Sequence, residues 1–106
     1  LRLTFDDQNK IVTIETPQGN RLTLSEQDGK VEIADQNDNT IIMDQSGIKL
    51  SSSGDIVLEA SGQIKVSAQQ TLELEGTRSA KVKSGMGAEL SLGGTADLSA
   101  PMVNIN

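Results

Sequence analysis

Residues 53–100 read SGDIVLEA, SGQIKVSA, QQTLELEG, TRSAKVKS, GMGAELSL and GGTADLSA, an unbroken run of octads. The fourth and sixth positions of each are apolar: Ile56/Leu58, Ile64/Val66, Leu72/Leu74, Ala80/Val82, Ala88/Leu90 and Ala96/Leu98. The preceding stretch QSGIKLSS, residues 45–52, fits the same frame with Ile48/Leu50. A spacing of two is the period of a β-strand. Self-similarity at a fixed period means stacked or wound units rather than a conventional globule. The octads therefore predict an all-β chain built as a rod. Two inward side chains per unit are too few to cover themselves, so order must come from stacking or from association between chains.

Composition points the same way. In 106 residues there is room for one domain, and Leu, Ile, Val and Phe make up about a quarter of the chain, with Phe5 as the single aromatic. Large aliphatic and aromatic side chains normally supply most of a compact core, and here they are scarce. Their periodicity separates the chain from disordered segments of similar composition. A net charge of −6 with no His disfavours nucleic acid and anionic membranes as partners. The absence of Cys removes disulfides, zinc–thiolate sites and thiol chemistry. No apolar stretch approaches the roughly 18 residues of a membrane-spanning helix, and no signal-peptide pattern opens the chain. Beginning at Leu1 inside an LRLTF strand, the sequence reads as a piece of something longer.

Upstream of the octads the apolar pairs recur at a wider, less regular pitch: Val12/Ile14, Leu22/Leu24, Val31/Ile33 and Ile41/Met43. Turn clusters separate them at Pro17–Asn20, Glu26–Gly29 and Asp35–Asn39. Asp28-Gly29 signals a hairpin or a solenoid corner. From about Gln45 the pitch tightens to eight, with small or flexible residues at the seams, as corners require. Glu59, Lys65, Glu73, Glu75, Lys81, Lys83, Glu89 and Asp97 alternate with the inward pairs, so they face water and can form mixed-sign ladders between strands. The inward pairs shrink from Ile/Leu to Ala/Leu along the chain, which predicts a taper. Between Leu98 and Val103 the apolar register shifts by one residue, with Pro101 in the break; Pro belongs at an edge or strand start, so the last residues form a terminal strand of their own.

A search for chemistry yields little. Asp35-x-Asn37-x-Asn39 resembles the start of a calcium loop, yet Thr40 and Ser46 stand where Gly and Glu are needed, leaving a solvated turn. Gly85-x-Gly87 and Gly93-Gly94 have no following helix and no GKS or GKT element, so they are corners rather than phosphate loops. Neither Asp6 with Asp7 nor Glu73 with Glu75 has an apolar pocket to raise a carboxyl pKa. Without His, Cys or Tyr a nucleophile–base pair is nearly excluded. Hexapeptide-repeat acyltransferases differ in period and need a catalytic His. The reading is of a protein that is not an enzyme, with no catalytic, cofactor or metal residues.

The octads, together with ETPQGNRLTL (15–24), DQNDNTIIMDQSGIKLSSSGDIVLEA (35–60) and GAELSLGGTADLSAPMVNIN (87–106), resemble the C-terminal needle of VgrG and related phage-type tail spike proteins. The resemblance covers nearly the whole chain and is most specific around Asn39–Leu50 and Pro101–Asn106. It implies a homotrimer wound into a triangular β-prism, an intertwined triple-stranded β-helix. Residues 1–44 would be its wider-pitch part, 45–100 the octad shaft and 101–106 the tip strand. The trimer core would consist of Ile48, Leu50 and the six octad pairs above. At about 4.8 Å per strand the tight region would make a shaft of roughly 40 Å.

The family caps contractile injection machines: type VI secretion systems, extracellular injection particles and phage tails. Such a spike is assembled in the bacterial cytoplasm and driven through a target envelope, touching the membrane mechanically. Its blunt tip, here matched by Met102, Val103, Asn104, Ile105 and Asn106, receives a conical PAAR-repeat protein. The His-x-His metal tip of some phage spikes has no counterpart, since the chain lacks His. The tail tube and hub would be joined through the family's upstream OB-fold and hub domains, which are missing. The alternative is a single-chain β-solenoid adhesin or scaffold working through a side face. A trimeric tail-spike glycosidase would need a carboxylate-lined groove with aromatic platforms, and the chain has one Phe and no Trp or Tyr.

Overall fold

The computed structural model describes residues 1–87 and 89–104; Ala88 of the expected core and Ile105 and Asn106 of the expected tip strand lie outside the described residues. Two units are distinguished, Leu1–Ile64 and Lys65–Asn106. The described residues form strands, turns and bends without a helix, an all-β chain.

The first unit is dominated by six five-residue strands: β1 (Arg2–Asp6), β2 (Ile11–Glu15), β3 (Arg21–Ser25), β4 (Lys30–Ala34), β5 (Thr40–Asp44) and β6 (Gly47–Ser51). They pair antiparallel in sequence order, a meander in one sheet. The wide-pitch apolar pairs are thus successive strands of a hairpin series, and Asp28-Gly29 turns a hairpin, with Gly29 at a φ of +61°. Antiparallel pairing continues to Ser51, beyond the change of pitch near Gln45, so Ile48 and Leu50 stand opposite Met43 and Ile41 in the sheet.

The turns explain why each hairpin keeps its register. At one end, Asp7–Lys10 and Glu26–Gly29 form four-residue loops, each closing in the left-handed region, at Lys10 (φ 56°) and Gly29. At the other end, three-residue loops span 17–19 and 36–38, with Gly19 (φ +102°) and Asp38 (φ 68°) in the matching position. The Thr16 N–H donates to the Asn20 carbonyl at 2.9 Å, and the Asp35 N–H to the Asn39 carbonyl at 3.0 Å, closing these two loops. An Asp or Ser before the loop takes up stray backbone donors. Asp6 accepts from the N–H groups of Gln8 and Asn9 at 3.1 Å each, and Ser25 Oγ accepts from Asp28 N–H at 3.1 Å.

Beyond β6 the chain bends at Ser53-Gly54 and Ser61-Gly62 in the first unit. In the second it bends at Gln69-Gln70, Thr77-Arg78, Gly85-Met86, Gly93-Gly94 and Pro101. Every bend falls at the start of an octad, where the sequence places its corners. Pro101 keeps this eight-residue corner spacing even though the apolar register shifts around it. Among the described residues the segments between bends carry no strand pairing in the isolated chain, and no backbone–backbone hydrogen bond involves 52–104.

Candidate functional site

Strand alternation sorts the sheet's side chains into two faces of opposite character. Leu3, Phe5, Val12, Ile14, Leu22, Leu24, Val31, Ile33, Ile41, Met43, Ile48 and Leu50 share one face, and the strand register sets them opposite one another: Phe5 with Val12, Val12 with Leu24, Leu24 with Val31, Val31 with Met43. Every position on that face is apolar. The other face carries Thr4, Thr13, Thr23, Glu32 and Lys49 among mostly polar neighbours. There the Arg21 guanidinium pairs with Glu32 at 3.3 Å and Lys30 with the same carboxylate at 3.8 Å. Such surface pairs contribute about 0–1 kcal/mol each.

The apolar face has no cover. Phe5 is 71% exposed and Ile48 76%, and Ala34 is the one buried apolar residue among those described. A groove lined by Ile33, Ile41, Leu50 and Ile56 carries the apolar surface past β6 to the first octad. A contiguous exposed apolar surface of this extent marks an interaction site.

The described octad residues expected at the trimer axis are also bare in the single chain. Ile56, Leu58, Ile64, Val66, Leu72, Leu90 and Leu98 are exposed, Leu74 to 84% and Val82 to 93%, and Ala80 and Ala96 likewise. Met102 and Val103 at the tip are exposed as well, with Asn104. Backbone N–H and C=O groups demand partners when buried, so any process that covers these side chains must supply strand partners too. Ion pairs between octad charges are absent among the described residues; those present, including Lys10 with Glu26 at 3.9 Å, belong to the sheet.

The acidic turn at Asp35 is occupied by its own chain. Its Oδ1 accepts from the N–H of Asn37 at 2.8 Å and of Asn39 at 3.0 Å, and Oδ2 accepts from Asn39 Nδ2 at 2.8 Å. Its carboxyl is held below the usual range by Asn39 N–H first, then by the Asn39 side-chain amide and Asn37 N–H. Asp6 is lowered in the same way, chiefly by Asn9 N–H and its side-chain amide. No group of three or more acidic side chains able to hold a metal occurs among the described residues.

Because both carboxyls titrate lower in the folded sheet than in the unfolded chain, their contribution is complete above the unfolded value. It is lost as pH falls through the folded one. Melting followed by circular dichroism from neutral to about pH 2.5 is expected to show acid destabilisation, with a shallower slope in Asp35→Asn. An unaltered slope in that variant would remove Asp35 from the acid response.

A network of amides and hydroxyls joins three turns at the end of the sheet where the chain leaves β6. Gln36 N–H donates to Asn20 Oδ1 at 2.9 Å, Asn20 Nδ2 to Gln36 Oε1 at 3.2 Å, and Gln36 Nε2 to Gln18 Oε1 at 3.1 Å. Ser53 N–H donates to Asn39 Oδ1 at 3.0 Å and Ser53 Oγ to the Asn37 carbonyl at 2.7 Å. The first octad corner is thereby tied to the β4–β5 turn.

Sequence reasoning had not grouped Leu3 and Phe5 with the other apolar pairs, nor recognised that the upstream pairs make one continuous face. The available signal was the same period of two, broken by three- and four-residue turns. Residues 10–106 match the family of the phage baseplate V C-terminal trimerisation domain. Among individually curated proteins none matches the chain.

Proposed function

This chain belongs to the phage baseplate V C-terminal trimerisation family, and we propose that it is the shaft of a trimeric spike in a contractile injection machine. A structural, spike-type role follows from the family. Three chains would wind their octads about a common axis as a triple-stranded β-prism, each supplying the strand partners that the others lack. The observation that carries this reading is the combination, among the described residues of 55–104, of corners every eight residues, bare apolar side chains at the fourth and sixth octad positions and no intrachain backbone pairing. A single-chain solenoid would pair successive octads within the chain, and no such pairing occurs among the described residues.

The function is mechanical and needs no active site. Continuous interchain hydrogen bonding leaves no free lateral edge and stiffens the shaft. An acidic coat, −6 per chain, keeps shafts from associating side by side. The sheath drives the shaft through the target envelope. The tip strand, Met102–Asn106, carries a PAAR-repeat protein, and upstream domains join the shaft to the hub and tube. The particle is a type VI secretion system, an extracellular injection particle or a phage tail, assembled in the bacterial cytoplasm.

Light scattering after size exclusion, with small-angle scattering for shape, tests the core of this reading. The expected result is a mass of three chains and an elongated profile. A stable folded monomer would overturn it.

A further inference from the structure

We propose that residues 2–51 are the assembly nucleus of the spike: three copies of the sheet meet first, through their apolar faces, and fix the register in which the octads then pair. This inference rests on the trimeric reading above. It assigns the sheet a task distinct from that of the shaft.

The two regions face opposite folding problems. Each strand of the sheet pairs with its neighbour in sequence across a short turn, so the meander can form from local contacts. Local contacts of this kind form fast, with hairpins closing in about 1–10 μs. The octads have no backbone partner within the chain among the described residues, so their pairing waits for other chains.

Within each half of the taper the octads are also nearly interchangeable. Sliding one chain by eight residues sets Ile64/Val66 where Ile56/Leu58 stood and keeps corner beside corner. Inward residues stay inward in such a slip, so the hydrophobic pattern that normally specifies register loses its power. A shaft of repeats therefore needs a register set from outside. The sheet restricts it far more, because four-residue loops (Asp7–Lys10, Glu26–Gly29) alternate with three-residue loops (17–19, 36–38): a slip of one strand sets unequal loops together, and a slip of two strands leaves a third of the six-stranded sheet without a counterpart.

Two further copies of this chain are the occupants that fit the sheet's apolar face. The trimerisation family match begins at residue 10 and includes β2–β6. In the groove beside Asp35, Ser52 and Asp55, the side chains of Ile33, Ile41 and Leu50 extend the face as far as Ile56 of the first octad. The bonds from Ser53 to Asn37 and Asn39 pass the register on, because they anchor the first corner to the sheet.

The test is refolding of the full chain from denaturant at several protein concentrations. Pulsed hydrogen exchange read by mass spectrometry reports local protection, and light scattering reports mass. Amides of 11–51 should become protected in the concentration-dependent phase that yields the three-chain mass, with those of 55–104 following. Leu24→Glu, on the sheet face, should leave monomers, while Leu74→Asp should still reach the three-chain mass with its sheet protected. Octad protection that precedes or coincides with that of the sheet would overturn the proposal, as would a Leu24→Glu trimer forming at the wild-type rate. A wild-type chain that never exceeds monomer mass would overturn the trimeric reading beneath it.

Discussion

Leu74→Asp is expected to keep the shaft from closing, with protection of the octad amides lost and their melting temperature lowered by tens of degrees. In the isolated chain Leu74 is 84% exposed, so an aspartate there removes no intrachain packing. The effect arises wholly on assembly, when the fourth and sixth octad positions turn inward and the substitution places three carboxylates around one axis. An unpaired buried charge costs several kcal/mol even after relaxation, so three cost roughly 10 kcal/mol or more. That equals the whole stability of an ordinary domain.

Two controls separate this cause from general damage. Glu73→Gln alters the neighbouring outward position and should leave melting unchanged. Acidification should partly restore the Leu74→Asp shaft, because burial and mutual repulsion raise the carboxyl pKa and protonation removes the charge. The measurement is melting by circular dichroism combined with hydrogen exchange across 55–104. A shaft of unchanged melting temperature would show that Leu74 does not point inward.

What the sequence disclosed and what it concealed follow from where the physics is local. Corners are local: a small or flexible residue every eight positions sufficed to locate the bends at Ser53, Ser61, Thr77, Gly85 and Gly93. Glu73 and Glu75 read as solvated surface because a period of two sets them on one side of the strand and Leu72 and Leu74 on the other; all four are exposed in the single chain. The meander was harder to read. Val12/Ile14 and Leu22/Leu24 alternate with the same period in a hairpin as in a winding strand, so the pattern gives the apolar face but not the direction of the next strand. Direction lies in the turns: the loop at Asp7–Lys10 escaped composition, and that at 36–38 was legible as a turn but not for the residue that closes it. Lys10 and Asp38 occupy the left-handed region without being glycine, so neither loop closure announces itself. Asp35 was legible as an oxygen-rich turn, yet its role depends on which donors it meets, and those are set only when Asn39 closes the loop.

Deletion of Met102–Asn106 is expected to abolish capture of a PAAR-repeat protein while leaving the shaft trimeric. The bend at Pro101 holds the eight-residue spacing of the corners, so a truncation after it removes the tip segment expected from the sequence at an existing corner. The loss to the shaft is limited to the end of the ladder. The loss to binding is large, because the deleted strand carries the apolar side chains offered at that end: Met102 is 76% exposed and Val103 48%. A blunt trimeric end would present three copies of each around one axis. A small apolar surface ringed by polar groups is the usual anatomy of a binding hot spot, and truncating its centre commonly costs 2 kcal/mol or more for each anchor (roughly thirtyfold in affinity). With three strands removed together, binding by calorimetry or pull-down should fall below detection. Light scattering should still report three chains, and octad melting should move by only a few degrees. Met102→Ala with Val103→Ala should give a partial loss and so separate side-chain recognition from the geometry of the strand. Full retention of the PAAR-repeat protein by the truncated shaft would place its seat elsewhere on the spike.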